Sequence, residues 1–409
     1  MTVDDRLSQA DVAPTAPRRH LVLLGGGHSH LPVIAAARDW QDTVEVTLVS
    51  PDALTAYSGM VPGVIAGHYR TRECLIDIER LAGRAGVRFI RAAAVGLDPV
   101  LRTIRLGDGT VLAYDIVSID IGATPHATPA LAEAIESGHC GDMTIAPCKP
   151  FPVLMDRLDR FFVDHHARPR PVDLCVVGAG LAGIEVALAL AFRMRAHADA
   201  RVRLLSGDAR LMSTAPRRVG AALEQACADH GVDLVRGARI ESAEPGALVA
   251  ADGRRIRADL ALLATGARAP AWLEGSGLAL DPQGFIAVAS TLASVSHASV
   301  FAAGDCAAVL HHPRPRAGVY AVRQGPPLAA NLWRALAGEA PAAFKPQREA
   351  LALAALGPRA AVAIRNGLIV GGPASRGALG RVLSDALARG LWQWKDRIDR
   401  AFVVRFSGP

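Results

Sequence analysis

The 409-residue chain is 51% hydrophobic, enough to bury more than one core, and predicts two or three domains. Its net charge of +6 does not point to nucleic acid, because the basic residues are almost all arginines scattered through alanine-rich sequence rather than gathered in a stripe. No apolar run approaches the ~18 residues that would span a bilayer, and the six cysteines show no C-x-x-C and no zinc-ligand spacing.

Residues 1–18 are polar, lack a signal-like apolar stretch and are expected to be disordered, so a cytoplasmic protein is predicted, lying on a membrane at most. The first element follows at LVLLGGGHSHLPVI, residues 21–34. A buried strand runs into Gly25, Gly26 and Gly27, as in the dinucleotide fingerprint G-x-G-x-x-G, but the third glycine is replaced by His30. Such a turn offers the free N–H groups of a helix start to a diphosphate, and glycines at its first two positions let the phosphate approach the backbone. His30 therefore changes the packing of helix on strand more than the phosphate site.

VDLCVVGAGLAG, residues 172–183, repeats this turn with all three glycines, Gly178, Gly180 and Gly183, followed by Glu185. The likeness continues downstream. GVRFIRAAAV, a hairpin around residues 107–109 and YDIVSIDIGATP (114–125) are answered by GVDLVRGARI, a hairpin around residues 251–253 and ADLALLATGARAP (258–270). Gly86 and Gly122 in the first copy are spaced nearly as Gly231 and Gly266 are in the second. Two copies of one alternating strand and helix architecture are predicted, each with a parallel sheet.

A third segment, SVFAAGDCAAV (299–309), ends a strand in Gly304 and Asp305, where a carboxylate can bind a polyol. With these three motifs in order, residues 20 to about 345 resemble the two-dinucleotide-binding-domain flavoproteins of the pyridine nucleotide-disulfide oxidoreductase superfamily, which include type II NADH dehydrogenases and sulfide:quinone reductases. The resemblance implies an α/β fold of two Rossmann-like domains, the NAD domain inserted in the FAD domain, plus a small C-terminal α+β module. The implied limits are 19–125 with 285–345 for FAD, 126–284 for NAD(P)H with its linker, and 346–409 for the module. GGGHSHLPVI, YSGMVPGVIAGHY (57–69) and WKDRIDRAF (394–402) are similar to the branch associated with selenophosphate synthetase.

The resemblance assigns Gly25, Gly27, His28, Ser50, Gly59, Met60, Gly122, Gly304 and Asp305 to FAD, and Gly178, Gly180, Gly183, Glu185, Ser206 and Gly266 to NAD(P)H. Ser50 and Ser206 stand where an acidic residue commonly binds a ribose hydroxyl. With Arg210 near one and Asp208 opposing a 2′-phosphate, NADH and NADPH both stay open, with a lean to NADH. Without a thiol pair for a flavin relay, hydride passes from nicotinamide to flavin and electrons leave directly. Cys140 and Cys148 are the one pair that such a relay would have to use. Lys149 and Tyr320, the latter in AGVYAVRQG (317–325), are the residues expected to line the flavin as catalytic groups. Histidines 28, 30 and 126 are expected to be structural, and 165–166 and 311–312 are loop pairs.

Residues 351–367 read as strands around a turn, and 379–403 as a helix interrupted at Gly390. Its apolar side is expected to hold Leu379, Leu383, Leu387, Leu391, Trp394, Ile398 and Phe402, with Arg381, Arg389, Lys395, Arg397 and Arg400 off it. That stripe suits a membrane surface, or packing on the flavin domain or on a second subunit as a homodimer. Three activities remain compatible with the sequence: a peripheral quinone reductase, a soluble reductase of selenium or sulfur metabolism, and a non-enzymatic nucleotide-sensing flavoprotein. The partner is a small-molecule electron acceptor in the first two.

Overall fold

A computed structural model describes residues 18–167, 171–371 and 378–408, without the side chains of residues 166–167 and 378–383. The expectation for residues 1–18 therefore lies outside the described residues except at Arg18, as do the side chains of His166, Leu379, Arg381 and Leu383.

In chain order the site-forming elements are β1 (Arg19–Leu24), α1 (His30–Ala36), β2 (Val44–Ser50), β3 (Arg88–Arg91) and β4 (Ile116–Ile119). There follow β5 (Met143–Pro147), β6 (Val172–Val177), α2 (Leu181–Met194), β7 (Ala200–Leu205), β8 (Val232–Val235) and β9 (Leu260–Leu263). The chain then forms β10 (Val300–Ala302), α3 (Gly318–Leu336) and α4 (Ala378–Ser407).

One sheet has the order β10-β4-β1-β2-β3, all neighbours parallel. The other runs β5-β9-β6-β7-β8, also parallel, with His139–Cys140 added antiparallel at the β5 edge. β10 returns to the first sheet after the whole second sheet has been built, so one copy is inserted in the other. Strands buried on both faces must be apolar throughout. Leu21 to Leu24 in β1 and Leu260 to Leu262 in β9 are accordingly fully buried. Each sheet carries a small antiparallel meander, at 94–113 and at 240–257.

The C-terminal strands Ala352–Ala355, Ala361–Arg365 and Leu368–Val370 form an antiparallel sheet round the predicted turn. The helix that follows departs from expectation. α4 is a single helix of 30 residues that passes through Gly390 without a break. Gly390 is exposed and a Cβ there would meet nothing, so a propensity cost of about 1 kcal/mol is outweighed by the packing of the turns on either side. The expected stripe is also divided. Phe402 packs inward on Tyr57 and Phe406, whereas Leu387, Trp394 and Ile398 are each about 45% exposed. Lys395, expected off the apolar side, is buried.

Candidate functional site

Each glycine turn follows a central strand of its sheet. β1 ends at Leu24, and Gly25 turns the chain with a left-handed φ of +91°; a Cβ there would stand 2.3 Å from the Asp120 carbonyl oxygen. β6 is followed by Gly178 with φ +113°, whose Cβ would stand 2.3 Å from the Ala264 carbonyl oxygen. Only glycine meets both demands. The turns are the same backbone structure, with Asp120 and Ala264 in matching places.

Their side chains differ. In the second turn Gly183 lies directly on Gly178, too close for any Cβ. In the first, the fully buried His30 takes that place, its Nδ1–H donating to the Gly25 carbonyl at 2.7 Å and its Nε2 accepting from the Ser118 hydroxyl at 2.9 Å. Burial lowers its pKa to about 4, so the ring is neutral. Beside it the carboxylate of Asp120, also buried, accepts the N–H groups of Ser29 (2.8 Å) and His30 (3.3 Å) on one oxygen, Oδ2. Gly27 and Gly304 both face this carboxyl group, and a Cβ on either would fall within 2.3 Å of its atoms.

Around the first turn the FAD-assigned residues gather in part. Asp305, after β10, forms a 2.7 Å ion pair with Lys149, which follows β5 in the other sheet. The Gly304 N–H donates to Gln324 Oε1 at 2.7 Å. Tyr320, at the start of α3, accepts the Ala350 N–H at 3.3 Å and lines a cavity of about 440 Å³ with Asp305, Arg316, Ala317, Arg323 and Lys345. His28 meets the edge of Tyr57 at 5.5 Å, its Nε2 is buried without a partner, and burial lowers its pKa to about 4. Gly59 gives its carbonyl to Lys395, which also binds Asp399 at 2.5 Å; Tyr57 is hydrogen-bonded to the same Asp399. Met60 is fully buried in the core beneath this loop. Gly122 has a left-handed φ of +71° and open space at its Cβ position. Ser50 donates to the Asp52 carbonyl at 2.9 Å.

The second turn is barer. At Gly180 and Gly266 no atom stands within 4 Å of a would-be Cβ, so the cradle has room for a diphosphate. Ser206 repeats Ser50, donating to the Asp208 carbonyl at 2.9 Å and accepting the Asp208 N–H at 3.2 Å. Arg210 is turned onto the carbonyls of Ser213 and Ala215. Glu185 points away from the cradle. It accepts the Ala355 N–H at 2.8 Å, and burial lifts its pKa to about 7 against the pull of Lys395. All six cysteines are free thiols; burial raises Cys148 to about 12. Among the described residues no cluster of His, Cys, Asp or Glu has the arrangement of a metal site.

Residues 19–325 match the family described as pyridine nucleotide-disulphide oxidoreductase. The chain belongs to that family. An NADH dehydrogenase-like protein of Mycobacterium tuberculosis is 26% identical over 300 residues, 70% of this chain and 72% of its own length. The type II NADH:quinone oxidoreductase of Haemophilus influenzae is 28% identical over 150 residues, 34% of either chain. In fold, the chain is similar to NDH2 from Plasmodium falciparum in complex with NADH (TM-score 0.73, 12% identity, covering 96% of this chain and 99% of that one). The sulfide:quinone oxidoreductase of Aquifex aeolicus is comparably similar (TM-score 0.72, 14% identity, 95% and 91%). The protein is thus an oxidoreductase of the type II NADH dehydrogenase-like kind, with FAD and NAD(P)H as cofactors.

This pyridine nucleotide-disulphide oxidoreductase has the features its cofactors need: left-handed glycines at both turns, an open second cradle, and a buried unpartnered His28 Nε2 beside the first. Sequence reasoning missed Asp120, Lys395 and Asp399. Asp120 was findable, because laying the two copies side by side sets a charged residue in a buried strand end against Ala264. Lys395 and Asp399 had no such signal, since their burial depends on how α4 docks.

Proposed function

We propose that the protein draws reducing equivalents from NAD(P)H at the second turn and delivers them through FAD at the first to a small-molecule acceptor, a quinone foremost. One observation carries this reading. Lys149, at the C-terminal edge of the second sheet, meets Asp305, at the C-terminal edge of the first, at 2.7 Å, so these edges of the two sheets are in contact, which supports neighbouring nucleotide sites. Ligands of open α/β sheets bind at such edges.

FAD, when bound, supplies hydride acceptance from nicotinamide and electron release to the second substrate. The chain's own contribution is placement. The helix-start amides after Gly180 would orient the nicotinamide diphosphate; at the first turn the Ser29 and His30 amides are taken by Asp120, and the glycine turn itself would receive the FAD diphosphate. Asp305, paired with Lys149, would hold the ribityl chain of FAD, and Lys149 and Tyr320 would line the reacting end. The buried Lys395–Asp399 pair fixes the Tyr57–Gly59 loop against α4. Electrons need no thiol relay on this reading, with Cys148 held as the thiol by burial.

The quinone assignment is supported by the similarity to the Haemophilus influenzae enzyme and by the outward side of α4, where Leu387, Trp394 and Ile398 are exposed along with Arg397 and Arg405. Such a face suits the headgroup region of an anionic membrane. Among the described residues no helix is long and apolar enough to cross one. Truncating α4 would remove the core residues Val403 and Phe406, so the test is the triple change Leu387→Gln, Trp394→Gln, Ile398→Gln. It should abolish liposome binding and slow turnover of long-chain quinones while sparing a soluble dye. Anaerobic mixing with NADH and with NADPH tests the activity itself: one nucleotide should bleach the flavin within turnover time, and no bleaching with either removes the reading.

A further inference from the structure

The first glycine turn holds a group that the second lacks. Asp120 sits at the end of β4 with its carboxyl group at the start of α1, in the space between Gly27 and Gly304. A Cβ on either glycine would run into this carboxyl group, and on the FAD reading of the first turn these two glycines would flank the diphosphate, which sets the carboxyl group beside it. A carboxylate there is an anion beside an anion. The same carboxyl group carrying its proton is a donor.

We propose that Asp120 is a diphosphate-contacting residue of the FAD site and acts as the neutral acid, Oδ2 accepting the Ser29 and His30 N–H groups while Oδ1–H donates to a phosphate oxygen. The inference rests on the FAD reading of the first turn. FAD affinity is then governed by one proton: bound in the Asp120–FAD complex, and lost with the cofactor at alkaline pH.

The surroundings favour that proton. Burial raises the Asp120 pKa to about 7 against the pull of the Ser29 N–H, the Ser29 hydroxyl and the His30 N–H. From the segment after β10, Asp305 adds like charge, and the Lys149 ammonium that would offset it is spent on Asp305 itself. Cys306, in the same segment, stays a neutral thiol because burial raises its pKa. From α1, His30 brings no positive charge, its pKa being lowered to about 4 by burial, and His28 likewise. From α3 come the neutral Gln324, on the Gly304 N–H, and the Ala321 carbonyl, on the Ser29 hydroxyl. A bound diphosphate adds further negative charge and pushes the Asp120 proton on more firmly. By linkage, FAD affinity should fall as pH rises above about 7, approaching tenfold per pH unit, until the pKa of the complex is reached.

The test is the FAD dissociation constant of the reconstituted full chain, measured by flavin fluorescence between about pH 5.5 and 9. Wild type should weaken with rising pH as above. Asp120→Asn, whose amide keeps a donor and cannot ionise, should bind FAD with little pH dependence. Asp120→Ala should lose the slope and bind about tenfold or more weakly than Asp120→Asn at every pH, for want of the donor. A wild-type dissociation constant flat across the range overturns the proposal, and so does a slope that survives in Asp120→Asn. Alanine binding as tightly as asparagine overturns the hydrogen bond and leaves only repulsion. If wild type takes up no FAD at any pH, the FAD reading falls and this inference with it, an outcome separate from the flat profile. The wild-type profile needs no variant, so a misfolded alanine protein does not protect the proposal.

Discussion

The two glycine turns share one backbone and differ in what their glycines make room for. At Gly180 no atom stands within 4 Å of a would-be Cβ: Ala264 follows the neighbouring strand, Gly183 lets α2 lie on the turn, and the cradle stands open. Around Gly25 and Gly27 the protein puts a carboxyl group where the second turn has a methyl, and an imidazole where it has a hydrogen. These two replacements sit side by side, since His30 donates its backbone N–H to Asp120 and its ring to Gly25. A fingerprint can thus lose its third glycine if the position becomes a fully hydrogen-bonded part of the core.

The largest effect should come from exchanging the third position. In the second turn a Cβ at Gly183 would fall far inside contact distance of the Gly178 carbonyl, which is backbone and cannot swing aside. Gly183→Ala should cost about 3 kcal/mol or more and lower the thermal midpoint by several degrees. Calorimetry checks it. A wild-type midpoint would mean that α2 can lift from the turn, and the comparison would lose its structural basis.

Next comes Gly180→Val. Because nothing stands near its Cβ position and the backbone is extended there (φ −75°, ψ 174°), the valine should fold without strain. It should still keep a diphosphate from the amides, so reduction of the flavin by NAD(P)H should slow by at least about a hundredfold while FAD content stays normal. Stopped-flow absorbance with a flavin count decides it, and fast reduction in this variant would remove the second turn as the nicotinamide site.

Much of this was legible in the sequence because it depends on local rules. The duplicated strand and glycine turn, the meanders and the return strand ending at Asp305 follow from hydrophobic runs and glycine positions, and the structure reproduces them as two parallel sheets, one inserted in the other. What escaped depends on distant packing. Glu185 follows a glycine fingerprint closely, yet its carboxylate serves the Ala355 N–H from a strand 170 residues away. Lys395 looks like the polar edge of an amphipathic helix, and it is buried because Asp399 and the Gly59 carbonyl meet it there. Gly390 looks like a break, but a helix held on both sides tolerates one glycine.

Gly27 and Gly180 hold matching positions and should respond differently. A Cβ on Gly27 would fall 2.2 Å from Asp120 Cγ, whereas Gly180 has only empty space to fill. Gly27→Ala should therefore destabilise the fold by about 1–3 kcal/mol, and much of that loss should vanish when Asp120→Ala is added, a favourable coupling in a double-mutant cycle. Gly180→Ala should leave stability within about 0.5 kcal/mol of wild type. Additive effects at Gly27 and Asp120 would mean that the carboxyl group swings away at little cost, and the crowding would not distinguish the turns.

The smallest effect separates the two serines. Ser206 spends its hydroxyl hydrogen on the Asp208 carbonyl and one lone pair on the Asp208 N–H, which leaves one acceptor site for a ribose hydroxyl. Ser50 likewise donates to Asp52, in the copy assigned to FAD. A single neutral hydrogen bond contributes about 0.5–1.5 kcal/mol, so Ser206→Ala should raise the KM for the nicotinamide nucleotide by roughly two- to tenfold with kcat unchanged. Ser50→Ala should leave that KM alone and loosen FAD by a similar factor. Steady-state kinetics at saturating FAD, alongside FAD titration of the apoprotein, reads both. If Ser50→Ala moved the KM and Ser206→Ala moved the flavin, the assignment of the two turns would be reversed, whatever the glycines allow.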